Sequence, residues 1–384
     1  MPISRRSFLT SLGAGGAGVL ATPLINWRGH EAVLAQGTAA RRADRLLAAR
    51  PGVIRIDSNE NPNGPGERVF AVIRAHLSES NRYPVQSEDD LAAAIARVHG
   101  ILPDHVILGS GSGELLRAAV SAFASRDRAV VSPDPTFEAP AAWAKFIGAP
   151  VAAPRVDATL HLDLDAMSDA ARGAGLIYFC NPNNPTATVH AKAEVSAYVE
   201  RVGRLSPETT VLIDEAYHEY VDEPSYGTAI PLALANPRVV VTRTFSKVFG
   251  MAGLRIGYAV GQPATLTKLA AWLLGSNVSQ LSLVAAATAV GDAQHIAAEQ
   301  RRNRTTRAFT RRFFEQAGFQ VAQSEANFMM VDIRRDAKQF KLDAIKQKVA
   351  VGRQFTALPN WVRVSVGTLP EMQRAVRVFR AMLA

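Results

Sequence analysis

The sequence predicts an α/β protein built on a mainly parallel β-sheet, and three observations support that prediction. Short apolar segments with strand character alternate with segments of helical length from about residue 106 to residue 260. The strand segments are continuously apolar, as in Val239-Val240-Val241, which is typical of strands covered by helices on both faces. Polar or glycine-rich loops follow several of them, where open parallel sheets bind ligands.

The elements follow one another in a regular order along the chain. After a helix near 39–50, strands are predicted at 54–56, 106–108, 129–131, 176–179, 211–214, 239–241 and 256–260. The helices between them are predicted near 67–77, 88–99, 114–124, 138–147, 192–204 and 264–275. Beyond residue 280, helices near 280–316, 337–348 and 370–383 mix with strands near 328–330 and 363–365. We therefore expect a large domain over 81–280, a smaller α/β domain over 281–384, and an N-terminal segment over 36–80 that joins the small domain.

The first 35 residues are typical of an export signal. Arg5 and Arg6 precede a glycine- and alanine-rich apolar stretch over 8–25, and Val33-Leu34-Ala35 offers a cleavage site after Ala35. This pattern predicts a twin-arginine signal and a periplasmic protein, or a cytoplasmic one if the signal is not used. A disordered tail is the alternative. The stretch is too weakly apolar for a stable spanning helix, so no membrane association is expected after cleavage.

Composition narrows the class of partner. Hydrophobic residues make up 48% of the 384 residues, which suits a soluble globular protein with a large core. The net charge is +9, but no run of Lys and Arg exceeds two residues. A basic enzyme surface for anionic small molecules is therefore favoured over a nucleic-acid or membrane contact. The single cysteine, Cys180, excludes an internal disulfide and a cysteine-based zinc site, and we predict no metal.

Five loops or strands carry residues suited to chemistry. Gly109–Gly113 opens a helix and can bind an anion through backbone N–H groups, although a flexible turn is the alternative. Asn181–Thr186 is a loop held by two prolines, with amide side chains that can reach a ligand. Asp214 ends an apolar strand, where a carboxylate needs a cationic partner.

The remaining two segments carry basic residues. Lys247 follows an apolar strand among Phe245 and Phe249, which favours a desolvated amine of lowered pKa over a surface lysine. Arg255 comes eight residues later and could hold a phosphate. Arg363 alternates with valines in a strand and needs an anion, either a substrate carboxylate or an internal Asp or Glu.

Taken in order, these segments resemble fold-type I aminotransferases, and within them the histidinol-phosphate aminotransferase branch. The resemblance covers the chain from about Ile54 to the C-terminus. Its most specific motifs are Asp214-Glu215-Ala216-Tyr217 and the run from Thr244 to Arg255. The other matching motifs are Ser58–Pro62, Asn81–Pro84 and Asn181–Thr186.

The resemblance implies pyridoxal 5′-phosphate as the cofactor. Lys247 would bind it as a Schiff base and then move the proton of the substrate, while Asp214 would pair with the pyridine nitrogen. Asn184 and Tyr217 would hold the 3′ oxygen of the ring, and Phe137 would stack on the ring. The residues implied for the cofactor phosphate are Ser112, Gly113, Ser246 and Arg255.

The resemblance also implies partners and substrates. Tyr83 would reach the cofactor phosphate of a neighbouring subunit, which implies a homodimer. Arg363 would bind the α-carboxylate of an amino acid or 2-oxo acid, and Asn59 and Arg353 are further candidates for substrate binding. Arg353 could read a distal anion or be a charge on the rim. Two departures from the family pattern are Gly113, where Asp is usual, and Ala187, where Gly is usual.

The expected reaction is ping-pong transamination between an amino acid and a 2-oxo acid. A lyase on the same scaffold is the alternative, either a decarboxylase like the threonine-phosphate decarboxylases or a β-eliminating enzyme, because such enzymes keep Lys247, Asp214 and Arg255. A non-catalytic cofactor-binding module is a third possibility. Since histidine synthesis is cytoplasmic, the predicted export signal indicates a substrate other than that of the histidinol-phosphate branch.

Overall fold

The computed structural model describes Leu46 and residues 48–384. The predicted export signal over 1–35 and most of the predicted helix near 39–50 lie outside the described residues. Pro51–Ala384 forms one compact unit, and the fold below is that of this unit.

The unit contains strands and helices in alternation. The strands are β1 Ile54–Ile56, β2 Val106–Gly109, β3 Val130–Val131, β4 Val151–Ala152, β5 Leu176–Cys180, β6 Thr210–Asp214, β7 Val239–Thr244, β8 Gly257–Val260, β9 Gln320–Val321, β10 Phe328–Asp332, β11 Val349–Val351 and β12 Trp361–Ser365. The helices are α1 Glu67–Ala75, α2 Val85–His99, α3 Ser112–Phe123, α4 Ala139–Phe146, α5 Leu164–Ala170, α6 Lys192–Leu205, α7 Ile230–Ala235, α8 Pro263–Ala270, α9 Gln280–Val290, α10 Ala293–Gln316, α11 Ala337–Lys346 and α12 Leu369–Leu383.

The main sheet has seven strands in the order β2-β8-β7-β6-β5-β3-β4. Strands β3 to β7 run parallel, and β8 is antiparallel to both of its neighbours, β2 and β7. The prediction of an α/β fold with a mainly parallel sheet is therefore confirmed. Every residue of β5, β6 and β7 is buried, because helices cover both faces of the sheet.

Strand alternation divides the core of this sheet into two layers. On β5, Ile177 and Phe179 pack into one hydrophobic cluster, whereas Tyr178 and Cys180 pack into the cluster on the opposite face. The same alternation operates on the neighbouring strands. The continuously apolar strand segments of the sequence are explained by this two-sided burial.

A further hydrophobic cluster lies in the C-terminal part of the unit. There β12, β10 and β9 form an antiparallel sheet, and β1 pairs in parallel with β11. Ile54 and Ile56 of β1 pack in this cluster with Met329 and Phe379, whereas Val69 of α1 packs in the main core. The proposed division into a large and a small domain at residue 280 stays a prediction.

Differences from the predicted elements have local causes. The segment 280–316 forms two helices instead of one. The first helix ends at Val290, immediately before Gly291, and the side chain of Asp292 caps the second by accepting a hydrogen bond from His295 N at 3.1 Å. Strands of two or three residues, such as β4 and β9, are too short to show a period. Within the described part of the chain, no helix is long and apolar enough to cross a bilayer, and no cluster of His, Cys, Asp and Glu could hold a metal ion.

Candidate active site

Three polar loops meet at the carboxyl edge of the main sheet. Asn181–Thr186 follows β5, Asp214–Tyr217 ends β6, and Thr244–Lys247 follows β7. Because β5, β6 and β7 are adjacent and parallel, their carboxyl ends open at the same edge. The topology thus brings together residues that are more than sixty positions apart in the chain.

Asp214 is the buried acid of this edge, with 3% of its surface exposed. The Tyr178 hydroxyl donates to its Oδ2 at 2.8 Å, and the Thr242 hydroxyl donates to its Oδ1 at 3.1 Å. Burial raises the pKa of Asp214 to about 6, although these two hydrogen bonds favour its charged form. Neither donor was predicted from the sequence. Strand register was the missing signal, since Cys180 and Thr242 pair with Asp214 and Tyr178 lies on the same face as Cys180.

Lys247 is the amine of the site. Its Nζ donates to the backbone oxygen of Asn59 at 3.2 Å and lies 5.4 Å from the ring centre of Tyr217. Burial, followed by the charge of Arg363, lowers the pKa of Lys247 to about 8. The half-buried position excludes the surface-lysine alternative. With this pKa about a tenth of the amine is neutral at pH 7.

Asn59 connects the N-terminal part of the unit to this site and is 1% exposed. Its Nδ2 donates to the Tyr217 hydroxyl at 3.1 Å, and its Oδ1 accepts from the Ser365 hydroxyl at 2.8 Å. Asn327 Nδ2 also donates to the backbone oxygen of Asn59, at 3.1 Å. Asn327 and Ser365 were not singled out from the sequence, although Ser365 is two positions from Arg363 on β12 and therefore shares its face.

Arg363 is buried at the same place. Its Nη1 donates to Asn184 Oδ1 at 2.8 Å and its Nη2 to the backbone oxygen of Asp57 at 2.7 Å. Its Nε is buried and has no acceptor in the part of the chain that the structure describes. Among the described residues, no carboxylate forms an ion pair with Arg363, so the internal Asp or Glu is not its partner. Burial lowers the pKa of Arg363 from its ordinary value, which marks a guanidinium short of compensating charge.

A basic side chain lies where α3 begins and could bind an anion there. Gly111 precedes the helix with a φ of 78°, and a Cβ at this position would lie 2.3 Å from Nη2 of Arg255. Arg255 therefore lies against the start of a helix whose first turn contains Ser112 and Gly113. Free N–H groups at a helix N-terminus and a nearby guanidinium suit a phosphate. Ser246 is buried in the loop after β7.

The loop before α4 is fixed to the loop after β5. The Thr136 hydroxyl donates to Asn183 Oδ1 at 2.7 Å, and Asn183 Nδ2 donates to the backbone oxygen of Pro135 at 3.1 Å. These bonds hold the partly buried Phe137 at the edge that carries Asn184. Ala187, at the end of this second loop, takes a φ of 65° that favours glycine, the residue usual there in the resembled family.

Two predicted residues lie further out. Tyr83 is 85% exposed and has no hydrogen-bond or aromatic partner among the described residues. Arg353 forms an ion pair with Glu138 and lies 4.2 Å from the ring centre of Phe355. Neither Glu138 nor Phe355 was singled out from the sequence, because nothing in their local pattern indicates that the chain before α4 approaches the chain after β11.

The arrangement fits pyridoxal 5′-phosphate. An amine of lowered pKa for its aldehyde is present at Lys247, a buried carboxylate for its pyridine nitrogen at Asp214, and a cation at a helix N-terminus for its phosphate at Arg255. The Nε of Arg363 is left for an additional anion. Lys247 and Asp214 have shifted pKa values, and Arg363 has a buried Nε without an acceptor among the described residues, which are features of a binding site.

Comparison with known proteins identifies the class. Residues 51–379 match the family model of the class I and II aminotransferases. The histidinol-phosphate aminotransferase of Symbiobacterium thermophilum is 35% identical over 90% of this chain and 98% of its own length. The aromatic amino acid aminotransferase of Mycobacteroides abscessus is also 35% identical, over 86% of this chain and 93% of its own length.

Solved structures of aminotransferases have the same fold. One from Erwinia carotovora atroseptica, described as a candidate histidinol-phosphate aminotransferase, superposes with a TM-score of 0.83 at 28% identity, over 86% of this chain and 96% of its own. The histidinol-phosphate aminotransferase of Sinorhizobium meliloti, solved in complex with pyridoxal-5′-phosphate, shares the fold with a TM-score of 0.82 at 24% identity, over 89% of this chain and 94% of its own.

The fold and site thus define an aminotransferase of fold type I. The chain belongs to the class I and II aminotransferases, and its cofactor is pyridoxal 5′-phosphate. The predicted transamination is confirmed at this level, and the lyase alternative is not favoured.

Proposed function

We propose that this enzyme transfers the amino group of 2-amino acids whose α-carboxylate binds Arg363, and that it does so as an exported homodimer. The observation that carries the substrate assignment is the guanidinium of Arg363, which is buried beside Lys247 without a carboxylate partner among the described residues. A bound carboxylate would supply the missing charge and an acceptor for Nε.

The cofactor, when bound, supplies an electron sink for the pair of electrons left on Cα when its proton is removed. Asp214 would keep the pyridine nitrogen protonated, and the donors Tyr178 and Thr242 would keep Asp214 charged for that task. Asn184 uses its Oδ1 to accept from Arg363, which leaves its Nδ2 to donate to the 3′ oxygen of the ring together with Tyr217.

The remaining cofactor contacts are assigned from the same geometry. Phe137 would cover one face of the ring. The groups assigned to the cofactor phosphate are the backbone N–H groups of Ser112 and Gly113, the Ser246 hydroxyl and the Arg255 guanidinium.

Lys247 would move the proton. Its pKa of about 8 means that about a tenth of the free amine is neutral at pH 7, far more than for an ordinary lysine, and this neutral form can accept a proton from Cα. The hydrogen bond from its Nζ to the backbone oxygen of Asn59 holds the amine near Tyr217 and Arg363, where the substrate carboxylate is expected. Asn59 would therefore act at the substrate by positioning Lys247 and Tyr217.

The names of relatives do not settle the substrate. The two relatives of equal identity are named for histidinol phosphate and for aromatic amino acids. The export signal proposed from Arg5 and Arg6 would place this enzyme outside the cytoplasm, away from histidine synthesis. Sequencing the N-terminus of the periplasmic form tests that placement, with Gln36 as the expected first residue and retention of residues 1–35 as the contradicting result.

The homodimer proposal rests on exposed apolar side chains. Tyr83, Trp272 and Leu274 are all exposed in the single chain, as residues of a subunit interface would be. A hybrid dimer of a Lys247→Ala subunit and a Tyr83→Ala subunit has one intact site only if Tyr83 acts on the partner's site. Recovery of up to half of the activity per dimer would support the shared site, and no recovery would contradict it.

A single-turnover experiment tests the function. The protein loaded with pyridoxal phosphate is mixed with single amino acids, while the absorbance of the cofactor and the released products are followed. We expect conversion to pyridoxamine phosphate with one equivalent of 2-oxo acid released. Release of carbon dioxide, or of ammonia without pyridoxamine phosphate, would contradict transamination.

A further inference from the structure

The mouth of the site contains an ion pair whose two members come from distant parts of the chain. Glu138 is the residue immediately before α4, and Arg353 follows β11. We infer that Glu138 determines substrate specificity: by occupying the guanidinium of Arg353, it selects 2-amino acids with neutral side chains over those with a distal carboxylate or phosphate. This inference rests on the proposed binding of the α-carboxylate by Arg363.

The aromatic ring of Phe355 connects the two arginines. The guanidinium carbon of Arg353 lies 4.2 Å from the ring centre and that of Arg363 lies 5.7 Å from it. Arg353 and Glu138 are also both close enough to Arg363 to influence its pKa, Arg353 lowering it and Glu138 raising it, although burial is the larger cause of its lowered pKa. A substrate whose α-carboxylate lies on Arg363 therefore has the side chains of Phe355, Arg353 and Glu138 within reach of its own side chain.

The charges of Arg353 and Glu138 decide which substrate side chains bind favourably. Arg353 alone would give the mouth a second cation, suited to a distal anion of the substrate. With Glu138 in place, a distal anion must either displace the carboxylate from Arg353 or lie beside a like charge, and both cost free energy. A substrate with a neutral side chain avoids both penalties and can pack on the ring of Phe355.

The expected discrimination is moderate. The side chains of Arg353 and Glu138 are 39% and 37% exposed, so water screens the pair. A distal anion is therefore disfavoured and not excluded. We expect a shift of about threefold to fivefold in the ratio of kcat/KM values, which is the size of one partly exposed charge interaction.

The test compares two classes of amino donor with the loaded enzyme. Phenylalanine and leucine are the neutral donors, and glutamate and O-phosphoserine are the anionic donors. Wild type should prefer the neutral donors. Glu138→Gln keeps the shape of the side chain and removes its charge, and it should raise kcat/KM for the anionic donors about threefold to fivefold relative to the neutral ones.

Two further variants make the result specific. Glu208→Gln removes the carboxylate of another partly exposed ion pair, with Arg238, at the opposite edge of the sheet, and should leave the ratio unchanged. Adding Arg353→Gln to Glu138→Gln should cancel the gain for anionic donors, because the freed cation is lost. A binding measurement gives an independent readout: Glu138→Gln should tighten the Kd of glutarate for the loaded enzyme and leave that of 3-phenylpropionate unchanged.

An unchanged donor ratio in Glu138→Gln, or a wild-type preference for anionic donors, would overturn the inference. Failure of the proposed function looks different, because then no amino acid of either class would convert the wild-type cofactor to its amine form. The measured quantity is the ratio of kcat/KM values for the two donor classes within one protein. A uniform loss of activity in a variant leaves this ratio unchanged and therefore cannot produce the expected increase. A variant that lost activity uniformly would be judged by the two Kd values, and an unchanged glutarate Kd would overturn the inference.

Discussion

The hydroxyl of Tyr178 on β5 donates a hydrogen bond of 2.8 Å to Oδ2 of Asp214 on β6. Tyr178 has no exposed surface, so water cannot replace this donor. The bond favours the charged form of a carboxylate whose burial has already raised its pKa to about 6. In the proposed site, Tyr178 would therefore be a positioning residue that acts on the cofactor through Asp214.

Tyr178→Phe should lower kcat about tenfold or more and leave KM nearly unchanged, because a hydrogen bond to a charged group contributes about 1.5–3 kcal/mol. The acidic limb of the pH profile of kcat should move to higher pH, since the pKa of Asp214 rises further when a donor is lost. Tyr198→Phe is the matched control, because Tyr198 is also buried but its hydroxyl has no hydrogen-bond partner among the residues that the structure describes. Equal effects of the two variants on kcat and pH profile would refute the role of Tyr178.

Lys247→Ala should abolish both the Schiff-base absorbance of the cofactor and turnover while the fold persists. The reason is that Lys247 is the amine placed beside Tyr217 and Arg363, with a pKa lowered to about 8. Absorbance spectroscopy, circular dichroism and turnover assays measure the three effects. The exposed Lys268→Ala serves as the control and should change none of them. Persisting turnover in Lys247→Ala would be incompatible with its assignment.

Arg363→Gln should lower kcat/KM for amino acids about 100-fold or more, because a buried guanidinium that pairs with a carboxylate contributes about 3 kcal/mol or more. Arg363→Lys should recover little, since a single ammonium cannot also reach Asn184 and the backbone oxygen of Asp57. Arg311→Gln, which disrupts an exposed pair with Glu315, is the control. Similar steady-state constants for Arg363→Gln and wild type would show that the carboxylate binds elsewhere.

Asp214→Asn should make the cofactor-free protein more stable at neutral pH although it abolishes activity. The folded pKa of Asp214 is about 6 and its ordinary value is 3.8, so between these values the folded protein binds more protons than the unfolded chain. Wild type therefore loses stability as the pH rises from about 4 to about 6, by up to about 3 kcal/mol, and the variant does not.

Denaturant unfolding at pH 4 and pH 7.5 measures this difference. The stability advantage of Asp214→Asn should be small at the lower pH and largest at the higher one. An advantage independent of pH, or greater at pH 4, would contradict the raised pKa.

Arg243→Gln should destabilise the protein by about 3–5 kcal/mol, because it leaves Glu215 buried without its cation. Arg243 and Glu215 are 5% and 2% exposed, and they form an ion pair at 2.7 Å. Glu215 also accepts a hydrogen bond from the backbone N–H of Ala229, so it connects Arg243 to the chain before α7. Arg238→Gln breaks the partly exposed pair with Glu208 near the start of the same strand and should cost less than about 1 kcal/mol. Equal losses in denaturant unfolding would show that burial does not govern this pair.

Strand identity and the positions of the polar loops could be predicted from the sequence. Residues such as Val211 and Val239 lie in continuously apolar runs, and such runs identify strands buried on both faces without long-range information. Asp214 ends one of these strands, and Lys247 lies three residues after the end of the other. The antiparallel direction of β8 could not be predicted, since an apolar run reads the same in either direction.

By itself the sequence determined the α/β class, the motif residues Lys247, Asp214 and Arg255 and, through resemblance, the aminotransferase family, because each depends on local pattern and order. The tertiary structure decided which neighbours act on them. Strand register places Tyr178 and Thr242 on Asp214, and the close approach of the chain before α4 to the chain after β11 places Glu138 on Arg353. Such contacts depend on register and packing between segments far apart in the chain, which the local spacing of residues does not contain.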